Sequence, residues 1–193
     1  AGKNAGFDSL GNLLAKAKTS DISMANSGQY TAHHLSAELL ASMTGARLVA
    51  VPYRGSAPAV NDVLGGQLPV AIIDLTAALP HIKAGTIKAL AVTSANRTKL
   101  APEIPTMAEG GVAGYAAPAW MGLFLPKGVP SAITERLAKE IQIVLAKPDV
   151  QNQIIALAAE PEAMGAEQHT VFINGESARW AKVIANLPKG AKP

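Results

Sequence analysis

Apolar and polar positions follow two rhythms through the first half of the chain. Short, nearly continuous apolar runs recur at Asp21 to Asn26, Leu48 to Tyr53, Leu68 to Asp74 and Ile87 to Thr93. Between them, apolar residues return every three or four positions. Leu10, Leu13, Leu14 and Ala17 mark one side of a predicted helix over 10–18, with Asp8 or Ser9 as its cap. Ala32, Leu35, Leu39 and Met43 do the same over 31–44, where Gly45 stops the helix. Ser56 is placed to cap a third helix, with Pro58 tolerated in its first turn and Gly65-Gly66 at its end. A fourth runs from 75 to 84, with Pro80 disturbing its first turn and Gly85 closing it. Strands that are apolar throughout are strands covered on both faces. Their alternation with helices predicts an α/β fold with a mainly parallel sheet.

The pattern then changes. Residues 101–114 are rich in Pro and Gly and read as loop, with at most a short helix around Met107-Ala108-Glu109. Trp120 to Leu125 is predicted as a further strand, closed by Pro126. The remainder is helical: 131–146 with Ser131 as cap and Ile133, Leu137, Ile141 and Leu145 spaced by four, then 148–159, then 167–186 with Gly175 weakening its middle. Residues 189–193 are expected to fray. The expected division is 1–118, an α/β unit, and 119–193, a mostly helical one.

Composition narrows the function classes. With 193 residues, 49% of them apolar and 16% charged, the chain can bury a core, and with 4% aromatics it must build it from Ala, Leu, Ile and Val. The net charge of +3 is scattered, with no basic run interleaved with aromatics, so no nucleic-acid partner is expected. The absence of cysteine excludes disulfides, thiolate metal sites and a cysteine nucleophile. No apolar stretch reaches 18 residues, so no membrane insertion is expected. The opening residues, Ala1-Gly2-Lys3-Asn4-Ala5-Gly6, have neither the charged nor the apolar region of a secretion signal.

The candidate chemistry lies at strand ends. In open parallel sheets, ligands sit beyond the carboxyl ends of the strands, where helix N-termini offer N–H groups to anions. Asn26-Ser27, Gly55-Ser56 and Asp74 each fall at such an end, and the turn Asn26-Ser27-Gly28-Gln29-Tyr30-Thr31 leads into a helix carrying His34. The set suits a small polar anion, with an amine on it as a further group for Asp74 to hold. Each residue also has a plainer role. Ser27, Thr31, Ser56 and Asp74 can serve as helix caps, and His34, one turn before Glu38, can be a hydrogen-bonded structural histidine. His33 and His34 are adjacent and diverge on a helix, whereas a metal wants ligands three or four apart, so no metal is expected. Gly-x-Ser-x-Gly, the P-loop, Gly-x-Gly-x-x-Gly and His-Glu-x-x-His are all missing, so neither catalysis nor a cofactor is expected.

Longer motifs carry a resemblance. Val51-Pro52-Tyr53-Arg54-Gly55-Ser56-Ala57-Pro58-Ala59 resembles the "VPYKGSGPA" segment of the Bug (TctC-type) receptors of tripartite tricarboxylate transporters. In the same order, Leu79 to Gly85 resembles "LPHIKAG", Lys88 to Ala95 "RALAVTSA", Pro105 to Gly111 "PTMAEAG" and Trp120 to Pro126 "WFGLLAP". The resemblance implies a two-lobed periplasmic-binding-protein type II (Venus flytrap) architecture, with 1–118 as lobe two and 119–193 as the C-terminal part of lobe one. It implies a non-catalytic periplasmic receptor, without cofactor, that passes a di- or tricarboxylate or an acidic amino acid to membrane components of the transporter. The family turn "SSGxGS" and its His-Leu map onto Asn26 to Thr31 and His34-Leu35, and the family acid maps onto Asp74. Two departures stand out. Tyr30 occupies a turn glycine, which would cost energy if the position needs positive φ. The N-terminal part of lobe one, with its own ligand turn and the signal, is missing from this sequence. The face of Ile133, Leu137, Ile141 and Leu145 would then be bare, which predicts self-association, a partner supplying the missing part, or a repacked tail. The same fold would also serve a sensing or interaction module. An α/β hydrolase-like enzyme is disfavoured by the missing nucleophile elbow.

Overall fold

A computed structural model describes residues 1–185. These fall into two compact units, 1–119 and the residues from Trp120 onward. The first unit runs α1 (Leu10–Ala17), β1 (Ile22–Asn26), α2 (Ala32–Thr44), β2 (Leu48–Pro52), α3 (Ser56–Leu64), β3 (Val70–Ile72) and α4 (Leu75–Lys83). The three strands form one parallel sheet in the order β2-β1-β3. Asn26 stands opposite Pro52 on one side and Ile72 on the other, so the strands end at one level.

The apolar runs explain this order. β1 is central, with Met24 3% and Ala25 0% exposed, and β3 buries Val70 and Ile72. β2 does not meet the expectation of cover on both faces: it is an edge strand, and Val49 is exposed. Ser9 caps α1 by accepting from the Asn12 N–H at 3.2 Å, and Gly45 ends α2 in the left-handed conformation, at φ 66°.

The buried stripe of α2 is rotated from the expected one. His34, Ser36, Ala37 and Leu40 are buried, whereas Ala32 and Met43 are exposed. Leu35, Ala37, Leu39 and Leu40 lie on several sides of this helix, so spacing by four selects between two stripes. The observed one places small residues inward. It is also secured by hydrogen bonds: the Tyr115 hydroxyl donates to the Ser36 carbonyl at 2.9 Å, and Ser36 Oγ donates to the Ala117 carbonyl at 3.4 Å.

The expected strand over 87–93 is absent. Its residues make only single bridges, Ile87 with Gly2 and Val92 with Thr106, because no neighbouring segment runs alongside for long enough to form a ladder. Within the Pro- and Gly-rich loop, Thr106 and Glu109 form a reciprocal turn. The Thr106 N–H donates to Glu109 Oε2 at 2.7 Å, and the Glu109 N–H donates to Thr106 Oγ1 at 3.1 Å. The Arg97 guanidinium and then the Thr106 N–H hold the Glu109 carboxyl below the usual carboxylate range.

The second unit contains α5 (Ser131–Leu145), α6 (Pro148–Ala156) and α7 (Ala166–Ala185). Ser131 is the first residue of α5 rather than its cap, a position taken by Pro130. Trp120 to Leu125 is irregular and exposed, not a strand, because no described segment pairs with it. The Trp120 ring stands edge-on to Phe172 at 5.3 Å, and the indole N–H groups of Trp120 and Trp180 both donate to Glu176 Oε2, at 3.2 and 3.1 Å. Among the described residues from 120 on, none is buried. No described helix is long and apolar enough to cross a membrane. The expected fraying at 189–193 lies outside the described residues.

Candidate functional site

The turns after β1, β2 and β3 are stitched together at the aligned strand ends. The Tyr53 N–H donates to the Asn26 carbonyl at 3.0 Å, and the Gly55 N–H donates to the Ser27 carbonyl at 3.0 Å. Asn26 is fully buried. Its Oδ1 accepts from the Gly28 N–H at 3.0 Å, while its Nδ2 has no partner among the described residues. A buried amide hydrogen without an acceptor costs about 1–3 kcal/mol, so its presence needs an explanation.

Three helices begin here, and they are capped differently. Thr31 caps α2 by accepting from the His34 N–H at 3.4 Å. α3 starts behind Gly55, which has no side chain to offer, at φ 105° and ψ 174°. Those angles are open essentially to glycine alone. Asp74 stands at the cap position of α4, but its carboxylate makes no cap bond. Instead Oδ2 accepts from Ser56 Oγ at 2.8 Å, and Oδ1 lies 3.3 Å from His33 Nε2. Ser56 therefore does not cap α3; it is the first residue of that helix, and its hydroxyl serves Asp74. The first N–H groups of α3 and α4 meet no side-chain cap at the edge where an anion would sit.

Asn26, Ser27, Gly28, Thr31, Gly55, Ser56 and Asp74 are thus gathered around the strand ends. His34 turns away from them. Its Nδ1 accepts from the Tyr30 N–H at 3.1 Å, and its Nε2 is 3.7 Å from Glu38. His33, absent from the sequence-derived set, faces inward: its Nδ1 lies 2.6 Å from Ser27 Oγ. Helical side chains lean towards the N-terminus, so a residue in the first turn of α2 reaches back over the turn that precedes it. Thr31 as the cap places His33 in that first turn, and the angle at which α2 leaves the turn then decides which way the ring points.

Tyr30 does adopt the left-handed conformation, at φ 62°, and its ring meets His34 edge-on at 5.9 Å between centroids. Left-handed backbone costs a residue with a side chain about 1–2 kcal/mol, and an edge-on ring pair returns about 0.5–1.5 kcal/mol. With the extra chain entropy of glycine, about 0.5–1 kcal/mol, these terms nearly cancel, so Tyr30→Gly is expected to change stability by less than about 1 kcal/mol. Urea unfolding followed by circular dichroism checks this. A larger loss would make the ring an anchor of the turn.

Residues 4–188 match the family profile of the tripartite tricarboxylate transporter family receptor, TctC. The chain belongs to the TctC family. A UPF0065 protein from the tcbD-tcbE intergenic region of Pseudomonas sp. strain P51 is 37% identical over 181 residues, covering 92% of this chain and 54% of that protein. BugT of Bordetella pertussis is 36% identical over 188 residues, covering 96% and 57%. The TctC chain spans about half the length of these curated relatives. Among solved structures, R. palustris Rpa4515 with adipate matches with a TM-score of 0.85 at 32% identity, over 95% of this chain and 62% of that one. MatC from Rhodopseudomonas palustris with bound malate matches with a TM-score of 0.78 at 26% identity, over 95% and 64%. BugD, a periplasmic binding protein, matches with a TM-score of 0.77 at 32% identity, over 99% and 64%. The parallel sheet and its helices are thus part of a type II periplasmic-binding-protein fold. The family is one of solute receptors, not enzymes, which removes the hydrolase alternative.

Proposed function

We propose that this TctC chain is part of a periplasmic receptor that captures a small carboxylate for a tripartite tricarboxylate transporter. In this reading the ligand lies beyond the carboxyl ends of β1, β2 and β3. The observation that carries the reading is the pair of helix starts, α3 and α4, that reach the aligned strand ends without a side-chain cap. Such N–H groups favour an anion through both hydrogen bonding and the helix dipole. Asn26 lies buried behind the same edge, where its Oδ1 holds the Gly28 N–H. The adipate and malate in the two R. palustris structures are ligands of this class.

Asn26, Ser27, Gly28, Thr31, Gly55, Ser56 and Asp74 are the proposed contacts. Tyr30 limits the width of the turn, and His34 holds it in shape from behind. Residues 1–118 would form the second lobe, and 119–193 would belong to the first lobe.

Thermal unfolding in adipate, malate, succinate and aspartate tests the ligand class. A ligand that binds only the folded chain stabilises it by RT ln(1 + [L]/Kd), about 2.7 kcal/mol at a hundredfold excess over Kd. At least one of the four is expected to raise the melting temperature at millimolar concentration. No shift with any of them, in this chain and in a receptor-length version, would overturn the reading.

A further inference from the structure

A site for carboxylates that displays a carboxylate of its own has a like-charge problem. Asp74 stands among the proposed contacts with a half-exposed side chain, where it would repel an arriving anion. We propose that His33 solves this, setting the charge preference of the site by tying Asp74 into a proton-carrying chain and taking up a proton as an anion binds. The inference rests on the carboxylate reading of the strand ends.

The chain of contacts visits all three turns. Ser56 Oγ donates to Asp74 Oδ2 at 2.8 Å, and Asp74 Oδ1 is 3.3 Å from His33 Nε2. His33 Nδ1 is 2.6 Å from Ser27 Oγ, which is 3.2 Å from Thr31 Oγ1. Thr31 Oγ1 donates onward to the Gly28 carbonyl at 2.7 Å.

The Asp74 carboxylate, which when ionised can only accept, lies 3.3 Å from Nε2 and favours a neutral His33 with its proton there, leaving Nδ1 to accept from the Ser27 hydroxyl. When a proton from solvent reaches Nδ1, the ring donates at both nitrogens. Ser27 Oγ then accepts from Nδ1 and turns its own hydrogen to Thr31 Oγ1. Thr31 keeps its hydrogen on Gly28. The Ser27–His33 hydrogen bond persists in both states with its donor reversed, and the Asp74–His33 pair goes from a charge of −1 to zero.

Asp74 is the charged group that reaches His33 within ion-pair distance among the described residues. On α2 itself, Glu38 is engaged by His34, and α3 contributes only the Ser56 hydroxyl. His33 is therefore a positioning residue: it acts on the ligand through Asp74 and Ser27.

Two measurements test it. In the ligand-free chain, 15N NMR of the imidazoles near neutral pH should place the His33 proton on Nε2, and Asp74→Ala should leave a mixture of tautomers. Malate titrations at pH 6 and pH 8, in buffers of different ionisation heat, should show proton uptake on binding and tighter binding at pH 6 than at pH 8. His33→Asn keeps a donor in place of the ring but cannot titrate, and it should abolish both the uptake and the pH dependence. A His33 proton on Nδ1, or a tautomer unmoved by Asp74→Ala, overturns the proposal whether or not malate binds. So does a wild-type pH profile in His33→Asn. Failure of both the wild-type chain and a receptor-length version to bind any carboxylate would instead count against the ligand reading, and the tautomer measurement would then decide the role of His33 alone.

Discussion

Replacing Tyr115 by alanine is expected to destabilise the first unit by about 3–5 kcal/mol, the usual cost of deleting a fully buried aromatic ring. Tyr115 is 1% exposed and is the largest fully buried side chain among the described residues. Its hydroxyl reaches the Ser36 carbonyl in the middle of α2, while Ser36 Oγ reaches back to Ala117. The ring therefore fixes the rotation of the helix whose first turn carries His33 and Thr31. Tyr115→Phe keeps the ring and loses the hydroxyl contact, and should cost about 1 kcal/mol. Urea unfolding of both variants, followed by far-ultraviolet circular dichroism, checks the difference. A loss below about 1 kcal/mol for Tyr115→Ala would mean that the segment around 115 is not part of the core.

The second large effect is association. Centrifuged on its own, the chain should sediment above its 19.8 kDa monomer mass and bind dyes that report apolar surface. α5, α6 and α7 bury no residue, and Ile133 and Leu137 are 50% and 41% exposed on the face that the spacing by four marks out. Ile141 and Leu145 on the same face are partly covered. Fully burying such a side chain is worth about 1.5–3 kcal/mol, so the exposed end of this row favours any surface that can cover it. In the proposed receptor, that cover comes from the part of a TctC protein this chain does not span. Leu137→Glu should shift the sample towards monomer. A compact monomer with little dye binding in the wild type would refute the expectation.

What the sequence disclosed depended on how local the deciding interactions were. The helices were legible because caps and stops act within a few residues: Ser9, Thr31 and Gly45 sit where their chemistry places them. The three parallel strands were legible for the same reason, as apolar runs bracketed by turns. The two further strands were not formed, because a strand exists only beside a partner. Ile87 to Thr93 and Trp120 to Leu125 are apolar enough, but neither has a described neighbour to build a ladder with. The convergence of Asn26, Gly55 and Asp74 followed from the rule for parallel sheets. The roles of the two histidines did not, since the ring that turns towards Asp74 is decided by the angle at which α2 leaves its turn. The same angle decides why Leu35 and Leu39 yield the inner face of α2 to Ser36 and Ala37.

The arrangement of aromatic side chains gives the protein a built-in pair of optical labels. The chain has three tyrosines and two tryptophans. Tyr30, Tyr53 and Tyr115 belong to the unit that carries the strand ends, whereas Trp120 and Trp180 belong to the helical unit and share Glu176. Emission excited at the red edge, where only indole absorbs, therefore reports on the helices alone. Tyrosine difference absorbance follows the sheet and its turns. Melting recorded in the two channels would separate the stability of one unit from that of the other without a single substitution or attached dye.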